Sequence, residues 1–183
     1  MEKNIVLCIC GSGATLGITE YIAFLTAKFK HVRIILTENG EKILPISSAN
    51  MICEHVYSDN VSFSDKEKNH INLARWADIV IVIPATANII GKISNGIADT
   101  FMTTFLISFN GNVLIYPCMN NLMWKNIIVQ RNIKKLENTN YKIIVRDKKE
   151  CFEIASGKMK KNIVLPSLEE LFNDIKNILG RIK

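Results

Sequence analysis

Five short runs of apolar, mostly β-branched residues recur along the chain, separated by segments with helical periodicity. A strand made only of apolar residues is typical of a sheet covered on both faces, because neither of its faces meets water. The pattern therefore predicts a three-layer α/β/α fold, a doubly wound parallel sheet of the Rossmann or flavodoxin-like kind, with strand order 3-2-1-4-5-6. The predicted strands are Ile5–Cys10, Val32–Leu36, Ile79–Ile83, Val113–Tyr116 and Ile143–Val145, with a shorter one around Met51–Tyr57.

Amphipathic segments between the strands are expected to form the covering helices. Apolar residues at 18, 22, 25 and 29 share one helical face, since their spacing matches the 3.6-residue turn. Asp99 and Ser167 are predicted N-caps, and Glu170, three residues after Ser167, completes a capping box. The predicted helices are Thr15–Phe29, Asp99–Phe109, Leu122–Leu136, Leu168–Leu179 and shorter ones around Glu41–Ile46 and His70–Trp76, with a polar loop at Ser58–Lys68.

Length and composition favour one domain over residues 1–183. The chain has 183 residues, no internal repeat and no linker, and single domains usually have roughly 100 to 200 residues. No tract of about 18 uninterrupted apolar residues occurs, so no membrane span is predicted. The opening MEKNIVLCIC is interpreted as a first strand and not as a signal peptide. The five cysteines lack zinc-type or dithiol-type spacing, which favours a cytoplasmic location and predicts no metal site.

The net charge of +6 raises the question of a nucleic-acid partner. The densest basic clusters, Arg146–Lys149 and Lys158–Lys161, lack the interleaved aromatic residues that stack on bases. We therefore interpret them as a solvated face and predict no nucleic-acid binding. Such a face still attracts an anionic peptide or a carboxylate.

Three unusual segments follow predicted strands, where ligands of doubly wound sheets bind. CGSGATLG, Cys10–Gly17, suits either a phosphate cradle or a merely tight turn, and its spacing favours a mononucleotide over NAD. Pro84–Thr100 is interpreted as a long loop whose small residues admit a flat ring. In YPCMNNLMW, Tyr116–Trp124, two adjacent asparagines lie among methionines and a tryptophan. These segments are the candidate site.

A histidine lies near the place where these segments are expected to converge. His70 begins the last short helix before the strand Ile79–Ile83. A histidine in such a place is more often a surface or helix-end residue than a catalytic one. His31 and His55 have no comparable neighbours, and His70 alone is expected near the convergence of the three segments.

Together, three segments resemble the motifs of the homo-oligomeric flavin-containing cysteine decarboxylases. That family has an Asn-His-Ile type segment, a Pro-Ala-Ser-Ala-Asn-Thr loop and a Pro-X-Met-Asn-X-X-Met-Trp segment. The corresponding residues are Asn69–Ile71, Pro84–Ile89 and Pro117–Trp124, with Thr86 in place of serine and Ile89 in place of threonine. The resemblance extends to FEIASGKMKKN, which ends at Asn162.

The last segment distinguishes two branches of this family. Phosphopantothenoylcysteine decarboxylases of coenzyme A synthesis carry a cysteine that reduces the enethiol intermediate, where this chain has Ser156. Serine cannot donate a thiol hydrogen, so the resemblance favours the peptidyl-cysteine decarboxylases of lantibiotic biosynthesis, of the epidermin and mersacidin type. The coenzyme A enzyme is the alternative. A non-enzymatic flavin-binding regulatory subunit and a prenylated-flavin synthase are disfavoured by the combination of His70, Met119 and Asn120.

The resemblance implies FMN-dependent oxidative decarboxylation of the C-terminal cysteine of a ribosomally made precursor peptide. The cysteine becomes a thioaldehyde, which accepts the electrons released with carbon dioxide and yields an S-aminovinyl-type enethiol, while the flavin receives two electrons. The resemblance also implies a homo-oligomer, a trimer or dodecamer, with the flavin at a subunit interface. Residues 146–161 correspond to the family's clamp over the peptide.

Individual roles are implied in the same way. His70 is the base. Asn120 holds the substrate carboxylate with a neutral amide, because a cation there would stabilise the carboxylate and oppose loss of carbon dioxide. Cofactor contacts are implied for Gly11, Ser12, Gly13, Thr37, Pro84, Ala85, Thr86, Ala87, Asn88 and Met119. Substrate contacts are implied for Asn120, Phe152, Ser156, Gly157 and Lys158.

Overall fold

The computed structural model describes residues 1–59, 69–154 and 156–180. A six-stranded parallel sheet contains β1 (Asn4–Ile9), β2 (His31–Leu36), β3 (His55–Ser58), β4 (Ile79–Ala85), β5 (Val113–Pro117) and β6 (Tyr141–Ile143). The strands are ordered β3-β2-β1-β4-β5-β6, which confirms the predicted fold and strand order. Ile5 of β1, for example, pairs with Val32 on one side and Ile79 on the other.

Helices cover both faces of this sheet. They are α1 (Ile18–Lys28), α2 (Glu38–Glu41), α3 (Ile46–Ala49), α4 (His70–Trp76), α5 (Ala87–Ser94), α6 (Phe101–Ser108), α7 (Asn121–Trp124), α8 (Ile127–Glu137) and α9 (Leu168–Leu179). A 3-10 helix, Gly13–Gly17, precedes α1 and replaces the first turn of the predicted helix Thr15–Phe29. None of the described helices is both long enough and apolar enough to cross a membrane.

Alternate residues of the central strands enter two apolar layers. In β1, Val6 and Cys8 belong to the layer formed with α4, α5, α6 and α8, whereas Ile5 and Leu7 belong to the layer formed with α1 and α9. All four side chains are fully buried. Burial of one Val, Leu or Ile side chain contributes roughly 1.5–3 kcal/mol, so these strands are a main source of stability.

Helix caps agree with one prediction and correct another. The capping box at Ser167 is confirmed, because its N–H donates to Glu170 Oε2 at 2.7 Å and its hydroxyl accepts from the Glu170 N–H. The prediction of Asp99 as an N-cap is wrong. Thr100 caps α6 through a reciprocal pair with Thr103, whereas Asp99 forms an ion pair with Lys92.

Three predicted elements are interrupted or displaced. Pro84–Thr100 is not one long loop, because Thr86 caps α5 within it. The predicted helix Leu122–Leu136 is broken where the Asn126 side chain accepts from the Ile128 N–H at 2.9 Å and starts α8. The helix predicted around Glu41–Ile46 is wrong, since α2 and α3 overlap only its two ends.

Two strand boundaries also differ from prediction. The strand predicted around Met51–Tyr57 starts only at His55, and the last strand of the sheet ends at Ile143, where it was expected to begin. Ser58 belongs to β3, and residues 60–68 of the predicted polar loop lie outside the described residues.

A separate antiparallel hairpin follows the sheet. It consists of β7 (Lys148–Glu153) and β8 (Lys158–Ile163). Gly157, in the turn between them, has φ of +63°, a left-handed conformation that glycine adopts without strain. The sequence analysis predicted no strands here, because the lysine-rich segments lack a regular apolar alternation.

Candidate active site

A cavity of about 580 Å³, the strand-end cavity, lies at the carboxyl ends of β1, β2, β4 and β5. The strand order reverses between β1 and β4, and doubly wound sheets bind their ligands at such a reversal. The cavity therefore occupies the expected place. Seven of the predicted cofactor contacts line it: Gly11, Ser12, Thr37, Thr86, Ala87, Asn88 and Met119.

Close packing of two loops shapes one wall of this cavity. A Cβ added to Gly11 would lie 2.5 Å from the Asn39 Cβ and 2.7 Å from the Asn39 carbonyl carbon, so a larger residue does not fit. The neighbouring Ser12 accepts the Ala14 N–H and donates its hydroxyl to Cys118 Sγ at 3.4 Å. Gly11 is thus required by loop packing, and it places the Ser12 hydroxyl at the cavity.

Two eight-residue helices begin at the strand-end cavity. Thr86 caps α5 and Thr100 caps α6, and both threonines line the cavity. The first N–H groups of a helix and its dipole favour an anion. Lys92 also lines the cavity, and its ammonium lies 2.8 Å from the Asp99 carboxylate. The cavity thus offers donors for a phosphate with only one cation among its lining residues.

Asp59 adds a carboxyl group that the sequence analysis did not single out. Its Oδ1 accepts from the Met102 N–H in the first turn of α6 at 2.7 Å. Burial is the largest influence on this group and raises the pKa of its carboxyl above the usual range. No motif marks Asp59, because it falls in a predicted polar loop.

A second cavity of about 660 Å³, the hairpin cavity, lies between the 3-10 helix and the β7–β8 hairpin. Ser12, Cys118 and Met119 line both cavities, so the two adjoin. Ligands in the two cavities can therefore lie next to each other. The hairpin cavity has several apolar lining residues, namely Leu16, Phe152, Ile154, Ile163, Val164 and Leu165.

Asn120 lines the hairpin cavity beside this junction. Its Oδ1 accepts from the Leu122 N–H at 2.8 Å and caps α7, which orients the amide. Its Nδ2 donates to Glu153 Oε1 at 2.5 Å. The other Glu153 oxygen lies 2.6 Å from the Lys160 ammonium, whose hydrogen bond lowers the pKa of Glu153, so the carboxylate is charged at neutral pH.

Two further polar side chains line the hairpin cavity. Asn162 is only 7 % exposed, and its Oδ1 has no hydrogen-bond partner among the described residues. Buried acceptors are normally paired, so this oxygen is available to a donor that enters the cavity. Burial raises the pKa of the Cys118 thiol, which is therefore neutral at pH 7.

Several predicted contacts lie elsewhere. Pro84 and Ala85 are buried in β4, where their carbonyl oxygens accept from the N–H groups of Cys10 and Cys118 and so position the loops after β1 and β5. Gly13 lines the hairpin cavity and not the strand-end cavity. Of the predicted substrate contacts, Asn120 and Phe152 line the hairpin cavity, whereas Ser156, Gly157 and Lys158 lie at the hairpin turn outside both cavities.

His70 lies apart from the residues it was expected to join. It is the first residue of α4 and half-buried, with Asn69 as the N-cap. A helix between two parallel strands runs back along the sheet, so its start lies at the carboxyl edge. His70 does not line either cavity. Within one chain the structure places Asn120 beside the residues that line the strand-end cavity but does not place His70 there.

Glu153, Lys160 and Asn162 were missed by the sequence analysis as individual site residues. All three lie within or beside FEIASGKMKKN, which was recognised only as a whole. Knowledge of the hairpin register would have indicated that Glu153 and Lys160 are neighbours, because Glu153 faces Lys158 and Cys151 faces Lys160. Alternation along those strands places Glu153 and Lys160 on one face.

The strand-end cavity fits a flavin mononucleotide. Its volume lies within the range of about 300–1,000 Å³ usual for ligand cavities. Ala87, Met119 and Met123 can contact a flat ring, while Ser12, Thr37 and the start of α5 offer donors for a phosphate and a hydroxylated chain. The donor set agrees with the cofactor that the sequence motifs imply.

Comparison with known proteins agrees with this geometry. The family model described as Flavoprotein matches residues 1–168. Mersacidin decarboxylase from Bacillus sp. (strain HIL-Y85/54728) is 36% identical over 161 residues, which span 88% of this chain and 82% of that protein. The coenzyme A biosynthesis bifunctional protein CoaBC of Borreliella burgdorferi is 35% identical over 87% of this chain but only 42% of its own length.

A solved structure shows the same overall architecture. It contains a variant of EpiD complexed with the substrate peptide DSYTC. The two chains are 32% identical, with a TM-score of 0.86 over 94% of this chain and 98% of that one. The peptide in that complex ends in cysteine.

Proposed function

This chain belongs to the flavoprotein family, as its motifs predicted, and from that premise we propose that it is an FMN-dependent peptidyl-cysteine decarboxylase. Its substrate is the C-terminal cysteine of a ribosomally made precursor peptide, and its product is an S-aminovinyl-type enethiol. The observation that carries the proposal is the oriented Asn120 amide beside the junction of a cofactor-sized cavity and a peptide-sized cavity.

The strand-end cavity holds the flavin. Ser12, Thr37 and the start of α5 bind its phosphate and hydroxylated chain, and Ala87 with Met119 contacts its ring. When bound, the oxidised flavin accepts two electrons from the terminal cysteine. Met119 and Cys118 line both cavities, so the terminal cysteine in the hairpin cavity lies next to the cofactor.

Asn120 orients the carboxylate that is lost. Its cap bond to Leu122 fixes the amide, so Nδ2 is directed at an acceptor without rearrangement. A neutral donor binds the carboxylate but stabilises its charge less than a guanidinium would. Since carbon dioxide leaves without that charge, the neutral amide opposes the reaction less.

The hairpin and the basic segment around it bind the peptide. Phe152, Ile154 and Leu165 contact apolar residues that precede the terminal cysteine, and the Asn162 Oδ1 accepts a peptide N–H. Ser156, Gly157 and Lys158 at the hairpin turn contact the peptide farther from its end. The lysines of residues 146–161 attract the peptide's terminal carboxylate over longer distances.

His70 is the base that removes a proton from the reacting cysteine. Because it lies outside both cavities of its own chain, it reaches the reaction in an oligomer, where a neighbouring protomer completes the site. This requirement supports a homo-oligomer, a trimer or dodecamer, in place of a monomer. The protein acts in the cytoplasm, where its precursor peptide is made.

Product analysis tests the proposal. Flavin-loaded protein is incubated with peptides that end in cysteine and have different apolar residues before it. We expect a mass loss of about 46 Da, equal to carbon dioxide plus two hydrogens. A peptide carrying a C-terminal carboxamide is the control and should not lose carbon dioxide. An unchanged mass for every cysteine-ended peptide would contradict the proposal.

The second candidate is phosphopantothenoylcysteine decarboxylation, which the similarity to CoaBC supports. Ser156 at the hairpin turn disfavours complete turnover to the reduced thiol, because a serine has no thiol hydrogen to donate. Incubation with phosphopantothenoylcysteine beside the peptides separates the two functions. Conversion of the small substrate with no change in any peptide would transfer the assignment to coenzyme A synthesis.

A further inference from the structure

Glu153 occupies the donor that the proposed function reserves for the substrate carboxylate. Its Oε1 accepts from Asn120 Nδ2, and its side chain is only 11 % exposed. A glutamate carboxylate and a peptide's terminal carboxylate present the same kind of acceptor. Resting on the proposed function, we propose that Glu153 is an internal competitor, which holds the Asn120 amide until the terminal carboxylate of a peptide displaces it.

The ion pair with Lys160 makes this displacement feasible. In the hairpin register Glu153 faces Lys158, and Cys151 faces Lys160, so Glu153 and Lys160 lie on the same face of neighbouring strands. Their charged groups are 2.6 Å apart. The pair can move with the hairpin as a unit, and the displaced carboxylate then keeps its cation instead of being left buried and unpaired.

The contact between the hairpin and the core is otherwise slight at this point. Ile154 reaches over Gly13, where an added Cβ would lie 2.6 Å from its Cδ1, yet Ile154 is 63 % exposed. Phe152 is 62 % exposed. The hydrogen bond from Asn120 to Glu153 is therefore a principal contact that holds this end of the hairpin over its cavity.

Glu153→Gln weakens the competitor while retaining its shape. The neutral amide oxygen still accepts from Asn120 but forms a weaker bond than a carboxylate. Glu150→Gln is the matched control, since it removes the same charge from the same strand on the opposite face of the hairpin, opposite Lys161.

Peptide binding gives the first measurement. Flavin-loaded protein is titrated with a fluorescent peptide that ends in serine, which offers the carboxylate but cannot form a thioaldehyde. We expect the dissociation constant to fall about tenfold in Glu153→Gln, because the competing bond is weaker, and to stay within about twofold in Glu150→Gln. Unchanged or weaker binding in Glu153→Gln would overturn the proposal.

The same comparison in an Asn120→Ala background identifies the donor in dispute. If both carboxylates compete for the Asn120 amide, Glu153→Gln should bring no further gain once that amide is absent. A gain that persists would show that Glu153 acts as a lid without competing for Asn120, and would overturn the proposal.

Limited proteolysis measures the hairpin without any peptide. We expect trypsin to cleave after the lysines at 158–161 several-fold faster in Glu153→Gln than in Glu150→Gln, because the hairpin opens more often. Equal cleavage rates would contradict the claim that the Asn120–Glu153 hydrogen bond holds the hairpin closed. Faster cleavage together with no peptide binding by any variant would support the Asn120–Glu153 hydrogen bond as the contact that closes the hairpin, but would refute the proposed function. Failure of this inference and failure of the proposed function therefore give different results.

Discussion

At the scale of single residues, Asn120 combines a structural and a proposed catalytic task. Its oxygen caps α7, and its nitrogen donates across to the hairpin. The cap explains why an amide stands in an apolar sequence, because the side chain is fixed by the backbone on one side and free to bind a carboxylate on the other. A hydroxyl group at this position would provide only one polar atom for both tasks.

Asn120→Asp separates these tasks. Aspartate still caps α7 but loses the donor and places a negative charge beside Glu153 and the substrate carboxylate. We expect flavin to be retained and decarboxylation to fall about 100-fold or more, as when an oriented donor is lost from other active sites. Product mass and visible absorbance measure the two properties.

Asn121→Asp is the control, since it makes the same chemical change one residue later. Asn121 accepts from Lys148 at the protein surface and does not line either cavity. Its activity should stay within about twofold of the parent protein, by the usual weakness of surface substitutions. Equal activity in both aspartate variants would contradict the role of Asn120.

The Asn162→Leu substitution should raise stability and impair function. The buried Oδ1 has no partner among the described residues, so an apolar side chain of similar size removes a desolvation penalty of about 1 kcal/mol. The same change removes the proposed acceptor for the peptide N–H. We expect the urea midpoint to rise and the KM for peptide to rise about tenfold. A lower urea midpoint would show that Oδ1 is paired in the folded protein.

Sequence motifs pointed to Asn120 and to seven residues that line the strand-end cavity, because these residues follow strand ends in segments of unusual composition. They could not locate Glu153, Lys160 or Asn162 individually, because those roles depend on the hairpin register and on a contact with Asn120 from 33 positions away. Pro84 and Ala85 illustrate the opposite case. Their motif marks the site, yet both are buried and act through their backbone carbonyls.

At the scale of elements, helix starts determine much of the site. Thr86, Thr100 and Asn120 cap α5, α6 and α7, and all three lie at a cavity. Small residues and glycines predict a loop for the segment that begins α5, because they are typical of loop composition. Composition alone is therefore misleading here. Thr86 as an N-cap, followed by three isoleucines, is the feature that indicates the helix α5.

The capping box of α9 provides a stability test remote from the site. Ser167→Ala removes the hydroxyl that accepts from the Glu170 N–H and should lower the free energy of unfolding by about 1 kcal/mol. Urea denaturation of flavin-free protein measures the change. Ser47→Ala, an exposed serine inside α3, is the control and should leave the midpoint unchanged. A loss of similar size in both variants would contradict the assigned role of the cap.

At the scale of the whole molecule, the apolar strands and their order were predictable because a parallel sheet must be covered on both faces. The separate hairpin was not predictable, since its strands are polar and exposed.

The exposed apolar residues of α7 and α8 were also not predicted to form one surface. Leu122 is 81 % exposed, Ile127 62 % and Ile128 64 %, which supports the proposed homo-oligomer because such a patch is typical of an interface.

Ile128→Asp tests that assembly. A carboxylate buried between protomers without a partner is costly, so the variant should dissociate toward a smaller species. Light scattering after size-exclusion chromatography measures the mass. Met51→Asp is the control. Met51 is 87 % exposed, follows α3 in the chain and is far in sequence from the exposed apolar residues of α7 and α8. An unchanged mass for Ile128→Asp, or a monomeric parent protein, would contradict the assembly.

Two-electron reduction of the flavin should accompany loss of the peptide's terminal carboxylate. A single turnover without oxygen tests this coupling, with flavin absorbance and peptide mass followed together. We expect the visible absorbance of the oxidised flavin to be bleached as one peptide per flavin loses about 46 Da. Mass loss without bleaching, or bleaching with the peptide unchanged, would contradict it.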